Sequence, residues 1–315
     1  MLALLRPHPH RGDTVAAGVV VLTLFTVLVN ARFAGEWSDV ARLLFTLAFA
    51  APVVVMAVQA VSGDAEPRPY ESVLHVASFV LVVLTLGLLA DVLGAEGGSG
   101  STTWVGALVV GYALWFARRR NSAIMTLLAA LAAVITFIAL VDWVLEVNSA
   151  SDVEWLLLIC AIVLTLGAVS QRDARRRHAV SLADAAGLTI FALGLVVLVA
   201  GVVGQFVAAL GGGILGDSAV GTGFSASGGG TGWELVLLAF GFGLIAYGSV
   251  DRERVPQFIG VGVLLMFLVQ ALWPGEDGPS LVGWPIVLLV LALGLLVIGL
   301  RPRQDLPPEP EVPHA

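Results

Sequence analysis

Runs of about twenty apolar residues follow one another along this chain, with only short polar breaks between them. A hydrocarbon core of about 30 Å needs about 20 residues of α-helix to cross it, and every backbone N–H and C=O in lipid must find its partner inside the segment. The pattern therefore predicts an all-α fold, a polytopic transmembrane helical bundle. Composition leads to the same place. Residues are 58% hydrophobic and 12% charged, where soluble domains carry roughly 25% charged residues. Too few polar groups remain to cover a water-facing surface. Ten spans are expected, at about 14–30, 40–61, 72–93, 102–117, 122–146, 154–170, 183–209, 233–250, 256–273 and 281–300.

The basic residues set an orientation. All 16 are arginine. Fourteen fall in the even-numbered links and the termini: Arg6, Arg11, Arg68, Arg118, Arg119, Arg120, Arg172, Arg175, Arg176, Arg177, Arg252, Arg254, Arg301 and Arg303. Only Arg32 and Arg42 fall in the odd-numbered links. Positive charge is retained on the cytoplasmic side, so both termini are expected in the cytoplasm, as N-in/C-in. A wrong helix count would scramble the asymmetry partway along. Tryptophan supplies a second marker, since indole rings prefer the headgroup level. Trp37, Trp104, Trp143, Trp155, Trp233, Trp273 and Trp284 fall at expected outer helix ends, and only Trp115 at an inner end. Exclusive use of arginine, with abundant Ala, Gly and Val, points by association to a GC-rich bacterial genome, and hence to the bacterial plasma membrane.

Several chemistries are excluded. With no lysine in the chain, neither a Schiff-base mechanism nor a lysine phosphate loop is available. Cys160 is the single cysteine and makes neither an intramolecular disulfide nor a multi-Cys metal centre. No HExxH, GxSxG or pair of intramembrane aspartates occurs. No catalytic residue, metal or cofactor is expected. Nucleic-acid binding would need a basic soluble domain, and none is evident. The arginine clusters Arg118–Arg120 and Arg172–Arg177 read as topology determinants that meet anionic lipid headgroups.

Ionisable groups within apolar spans are the usual pointers to function, because a central charge costs roughly 2.5–3.5 kcal/mol on insertion scales. Here they avoid the span centres. Asp91, Asp142, Glu146, Glu154 and Glu234 lie near outer helix ends, joined by Gln270. Two readings are open. Water and headgroups solvate these groups, with Glu154 and Glu234 also favoured at helix N-termini; or several of them converge on an outward-facing acidic vestibule for a cation or proton, with Asp91 and Asp142 foremost. On the inner side Glu71 and His75 share a helix face, Ser78 and Thr85 extend it, and Asp184 enters the seventh span at similar depth. These are either a local interfacial pair or a set able to pass a proton or hold a metal. Gly187, Gly194 and Gly201 recur every seven residues, with Gly204 beside them; this smooth face is a helix-packing seam or the wall of a passage.

The domain plan is a cytoplasmic segment at 1–13, which reads as the flank of an uncleaved signal anchor, a transmembrane domain at 14–300, and a Pro- and Glu-rich tail at 301–315 expected to be disordered. Within the transmembrane domain, Gly211–Gly232 holds ten glycines and one charge. It reads as a flexible outer loop, or as a gate. Spans that begin near Trp104, Trp155, Trp233 and Trp284 each run to an arginine turn, two of them as Gly167–Arg172 and Gly248–Arg252. Duplication of a unit and separate action of the topology rules both account for this.

This layout of ten helices with short loops resembles the drug/metabolite transporter superfamily, whose two five-helix halves have inverted topology. The serial hairpins with Gly-rich spans and arginine turns, such as Gly241–Arg254, also resemble uncharacterised bacterial polytopic membrane proteins. Neither resemblance rests on a residue motif, so no binding residue carries over. Three functions compete: a non-enzymatic scaffold or partner subunit, including a homo-oligomer; a secondary transporter of a small solute or ion; and a membrane enzyme acting on lipid-linked substrates beside Asp142 or Glu234. A scaffold or partner subunit fits the dry, uncharged span interiors best.

Overall fold

The computed structural model describes residues 12–60, 67–95, 97–147, 149–214 and 231–272, through the backbone alone at 201–214, 231 and 271–272. Every element among them is helical: α1 (Gly12–Arg32), α2 (Asp39–Gln59), α3 (Pro69–Val92), α4 (Ser99–Arg120), α5 (Ala123–Leu145), α6 (Ala150–Gln171), α7 (Arg176–Ile214), α8 (Thr231–Asp251) and α9 (Arg254–Leu272). Eight of them are long and apolar enough to cross a membrane, and the apolar stretch Arg254–Gln270 of α9 is shorter. The chain is thus a multi-pass integral membrane protein in architecture. The tenth expected span, the N-terminal segment, the tail and most of the Gly-rich loop lie outside the described residues. Packing divides the chain into two units, 1–267 and 268–315. Everything below concerns the first unit except where Gln270 is named.

Local chemistry sets the helix ends. Ser38 and Ser149 cap α2 and α6 by accepting the N–H of Ala41 (3.3 Å) and Asp152 (3.1 Å), which satisfies donors a helix start otherwise leaves orphaned. Pro69 opens α3, where its missing N–H costs nothing. Asn121 ends α4 in the left-handed region at φ 49°, a conformation that asparagine tolerates. This turn lets α4 run to Arg120, three residues past its expected end. At its other end α4 begins at Ser99 and not at 102, because the Ser101 hydroxyl accepts the Gly98 N–H at 3.1 Å. α7 is likewise longer than the expected 183–209 at both ends, and reaches Ile214 inside the Gly-rich stretch.

Several threonine hydroxyls inside the spans are satisfied within their own helices. Thr23, Thr26, Thr46 and Thr85 donate to the carbonyls of Val19, Leu22, Arg42 and Leu81 at 2.7–2.8 Å. This is the local solution open to Ser and Thr in lipid. Asn30 goes further. Its amide donates to the Thr26 carbonyl and, across the α1–α2 interface, to Thr46 Oγ1, each at 2.9 Å. Both side chains are buried. A double-mutant cycle of Asn30→Leu with Thr46→Val, read by unfolding in detergent, is expected to give a coupling of about 0.6 kcal/mol and no more than about 1.7 kcal/mol. Additive effects would mean that the pair contributes nothing as a pair.

The helices pack as α2 with α3, α4 with α5, and α6 with α7. α3 also meets α1, α4 and α5, and α7 also meets α5 and α8. One core joins Val53 and Ala57 of α2, Leu74, Ala77 and Leu81 of α3, Phe116 of α4, and Met125 and Ala129 of α5. The share of each span buried separates α7 from the rest: 56% of its window, against 22–39% elsewhere. Among these eight spans α7 is therefore the most buried, and the other seven turn more of their surface outward. Its glycines permit this. A Cβ at Gly187 would stand 2.7 Å from Ile259 of α9 and 2.8 Å from Leu244 of α8, and one at Gly194 2.6 Å from Met266 of α9. Gly201 and Gly204 follow on the same helix.

Candidate functional site

Polar side chains concentrate at the end of the bundle where α2, α4, α6 and α8 finish and α3, α5, α7 and α9 begin. This end carries the arginine turns. Three sets of contacts stitch it together. In the first, Glu71, His75 and Ser78 of α3 are all buried. The Tyr112 hydroxyl of α4 donates to Ser78 Oγ at 2.9 Å, and Ser78 donates to the His75 carbonyl at 2.8 Å. The His75 ring lies 5.0 Å from that of Phe116, within electrostatic reach of Arg120. Arg120 donates to the Val58 carbonyl, one of the last carbonyls of α2, which have no partner within their own helix.

The second set joins α4, α5 and α7. His178 contacts Thr126 Oγ1 at 2.5 Å through Nδ1, and its Nε2 lies 2.8 Å from Asn121 Oδ1. The ring bridges the α4–α5 turn to the start of α7. The third set joins the α6–α7 turn to the α8–α9 turn. Arg172 pairs with the Asp251 carboxylate at 2.9 Å, and Arg176 lies 3.9 Å from the same oxygen while donating to the Asp251 carbonyl. The hydrogen bond that Arg172 donates to the Asp251 carboxylate raises the Arg172 pKa above its already high ordinary value, so the guanidinium stays charged. Arg120 and Arg176 thus repeat one device: an arginine from a neighbouring turn satisfies the C-terminal carbonyls of a helix, where positive charge also meets the negative end of the macrodipole.

The expected inner set is divided by this arrangement. Glu71 and His75 do share a buried face of α3, but Asp184 sits on α7 near Glu253 of the α8–α9 turn. α3 packs with α1, α2, α4 and α5, and α7 with α5, α6, α8 and α9, so similar depth in sequence does not become proximity in space. No three His, Cys, Asp or Glu side chains among the described residues gather closely enough to share a metal ion. Thr85, read as an extension of the inner stripe, gives its hydroxyl to Leu81 instead.

The outer candidates are spread over the ends of α3, α5, α6, α8 and α9. Asp91 is exposed near the end of α3, Asp142 is half-buried with its carbonyl accepting the Glu146 N–H at 2.9 Å, and Glu146 is exposed at φ 51°. Glu234 is half-buried in the first turn of α8, and Glu154 is buried at the start of α6. The Trp155 and Trp233 rings meet at 5.2 Å, which sets the starts of α6 and α8 side by side. Gln270, in the last turns of α9 and in the second unit, is half-buried. None of these residues lines either of two surface cavities. One is an apolar groove of about 320 Å³ between α1 and α3, walled by Val20, Leu24, Val73 and Val80; the other lies on α4.

Tyr112, Asn121, Thr126, His178 and Asp251 are the residues that sequence reading missed. Asn121 had a signal, an Asn between an arginine run and a serine N-cap. Asp251 sat inside the Gly248–Arg252 turn already singled out. His178 had none, because its partners lie more than fifty positions away along the chain. No family model, curated protein or solved structure matches the chain.

Proposed function

We propose that this chain is a non-enzymatic scaffold or partner subunit of a bacterial plasma membrane, with ten crossings and with the stitched arginine end and both termini in the cytoplasm. The arginine asymmetry supports the orientation. The observation that carries the role is where the polar groups are spent: on bonds between helices. Alternating access rocks one half of a transporter against the other around a central site. Here the His178 bridge to Asn121 and Thr126 ties α7 to α4 and α5, across the boundary between the first five helices and the rest. Asp251, Arg172 and Arg176 tie the turns within the second part. A bundle fastened in this way suits a fixed framework.

Transport is the competing outcome, and one experiment separates the two. In a Cys160→Ala background, single cysteines replace Ala161 and Ala186, both buried near the middle of the apolar spans Ala150–Gln171 and Arg176–Ala200. In proteoliposomes neither is expected to react with a membrane-impermeant thiol reagent from either side. Labelling of either position would reveal a water path to the membrane interior. The scaffold reading would then give way to a transporter, and flux with Asp91→Asn and Asp142→Asn would be the next measurement.

A further inference from the structure

The two basic clusters look alike in sequence, but the structure gives their arginines different occupations. Arg172 and Arg176 are engaged with Asp251, and Arg120 turns inward to the Val58 carbonyl. Arg118 and Arg119 are exposed on the outside of α4, and no carboxylate among the described residues forms an ion pair with either. They rim the second surface cavity, of about 490 Å³, whose other walls are Gly111, Leu114 and Trp115.

The spacing 111, 114, 115, 118 puts these residues on one helix face. At Gly111 a Cβ would meet nothing within 4 Å, so the glycine leaves an open notch in an otherwise apolar wall. Trp115 is 44% exposed, but its ring is set by an edge contact with the buried Phe116 at 4.8 Å. The Arg119 guanidinium lies over that indole, 6.0 Å from its centroid. From the notch toward the helix end the face reads smooth, apolar, indole, guanidinium. A lipid leaflet presents its chemistry in the same order: acyl chain, glycerol boundary, phosphate.

We propose that this face of α4 seats one anionic phospholipid, with an acyl chain in the Gly111 notch, the glycerol region against Trp115 and the phosphate between Arg118 and Arg119. The two guanidiniums supply the attraction, since the C-terminal end of a helix carries partial negative charge and repels a phosphate. Snorkelling arginine stems keep the heads at headgroup level while covering apolar surface. The site depends on α4 spanning the membrane and not on the scaffold role.

Native mass spectrometry of the full chain in detergent, titrated with phosphatidylglycerol or phosphatidylcholine, tests the site. The wild type is expected to bind phosphatidylglycerol about tenfold or more tightly than phosphatidylcholine. Removing charge with Arg118→Gln and Arg119→Gln should weaken phosphatidylglycerol binding about fivefold for each guanidinium; the double Lys variant should retain most of it. Gly111→Leu keeps both charges and fills the notch, and should weaken both lipids several-fold. All these positions are at the surface, and unchanged helicity and melting would show that the fold is intact. Equal binding of the two lipids, or a Gln double variant that binds like the wild type, would overturn the proposal. So would a wild-type dimer that Gly111→Leu dissolves without changing lipid adducts, which would assign the face to a second copy.

Discussion

Gly260→Ala is expected to destabilise the protein by about 1–3 kcal/mol, the usual cost of forcing atoms into a packed interface. A Cβ at Gly260 would lie 2.7 Å from the Gly241 carbonyl oxygen, 2.9 Å from Ile245 Cγ1 and 3.1 Å from the Ile245 N. Two of these are backbone atoms, which cannot rotate aside, so α8 and α9 must move apart. Helices in lipid gain little from the hydrophobic effect on meeting, because acyl chains are as apolar as leucine; close backbone approach and its dispersion contacts hold them. Separation of the pair therefore removes much of what joins it. Gly18→Ala is the control: nothing lies within 4 Å of its Cβ position, and stability should be unchanged or slightly raised through the lower entropy of the unfolded chain. Equilibrium unfolding in mixed micelles reads both. A Gly260→Ala protein as stable as the wild type would show that the two helices are not in backbone contact.

Phe116→Ala should cost about 2–3 kcal/mol. In a soluble core the same change costs about 3–5 kcal/mol, part of it the transfer of the ring from water and part the cavity left behind. For a membrane helix the transfer part largely vanishes, since the unfolded reference also keeps the ring in an apolar medium. The cavity part remains. Phe116 is fully buried, and its ring centroid lies 4.8–5.0 Å from those of His75, Tyr112 and Trp115, so its loss also frees Tyr112 and Trp115 from the ring that positions them. Phe116→Leu, closer in volume, should cost less than about 1.5 kcal/mol. The same micellar unfolding measurement separates the two substitutions. If Phe116→Ala costs no more than Phe116→Leu, neighbouring helices collapse into the gap and the core is not rigidly packed.

The helices themselves were legible because lipid enforces a simple rule: a span must be long, apolar and internally hydrogen-bonded. Errors came at ends such as Ser99 and Arg120, where a hydroxyl cap or a left-handed Asn121 moves a boundary without changing the hydropathy. The candidate sites were less legible. Carboxylates near span ends stand out in a sequence, yet Asp91, Asp142 and Glu234 sit on different helix ends, and hydropathy carries no record of which ends are neighbours. The arginine turns were visible as sidedness alone. That Arg120 and Arg176 cap helices and Arg172 pairs with Asp251 while Arg118 and Arg119 face outward depends on which side of each turn meets another helix.

Sequence alone determined that this chain is an all-helical multi-pass membrane protein, because burial in lipid is decided residue by residue along a run. It also placed the basic charge at alternate turns. Only the tertiary structure decided that α7 is the most buried of the eight described spans, that Asp184 stands apart from Glu71 and His75, and that His178 joins α7 to the α4–α5 turn. These are relations between helices, and the apolar surfaces that bring helices together in lipid are alike enough that only shape, a glycine notch against a side chain, tells one pairing from another.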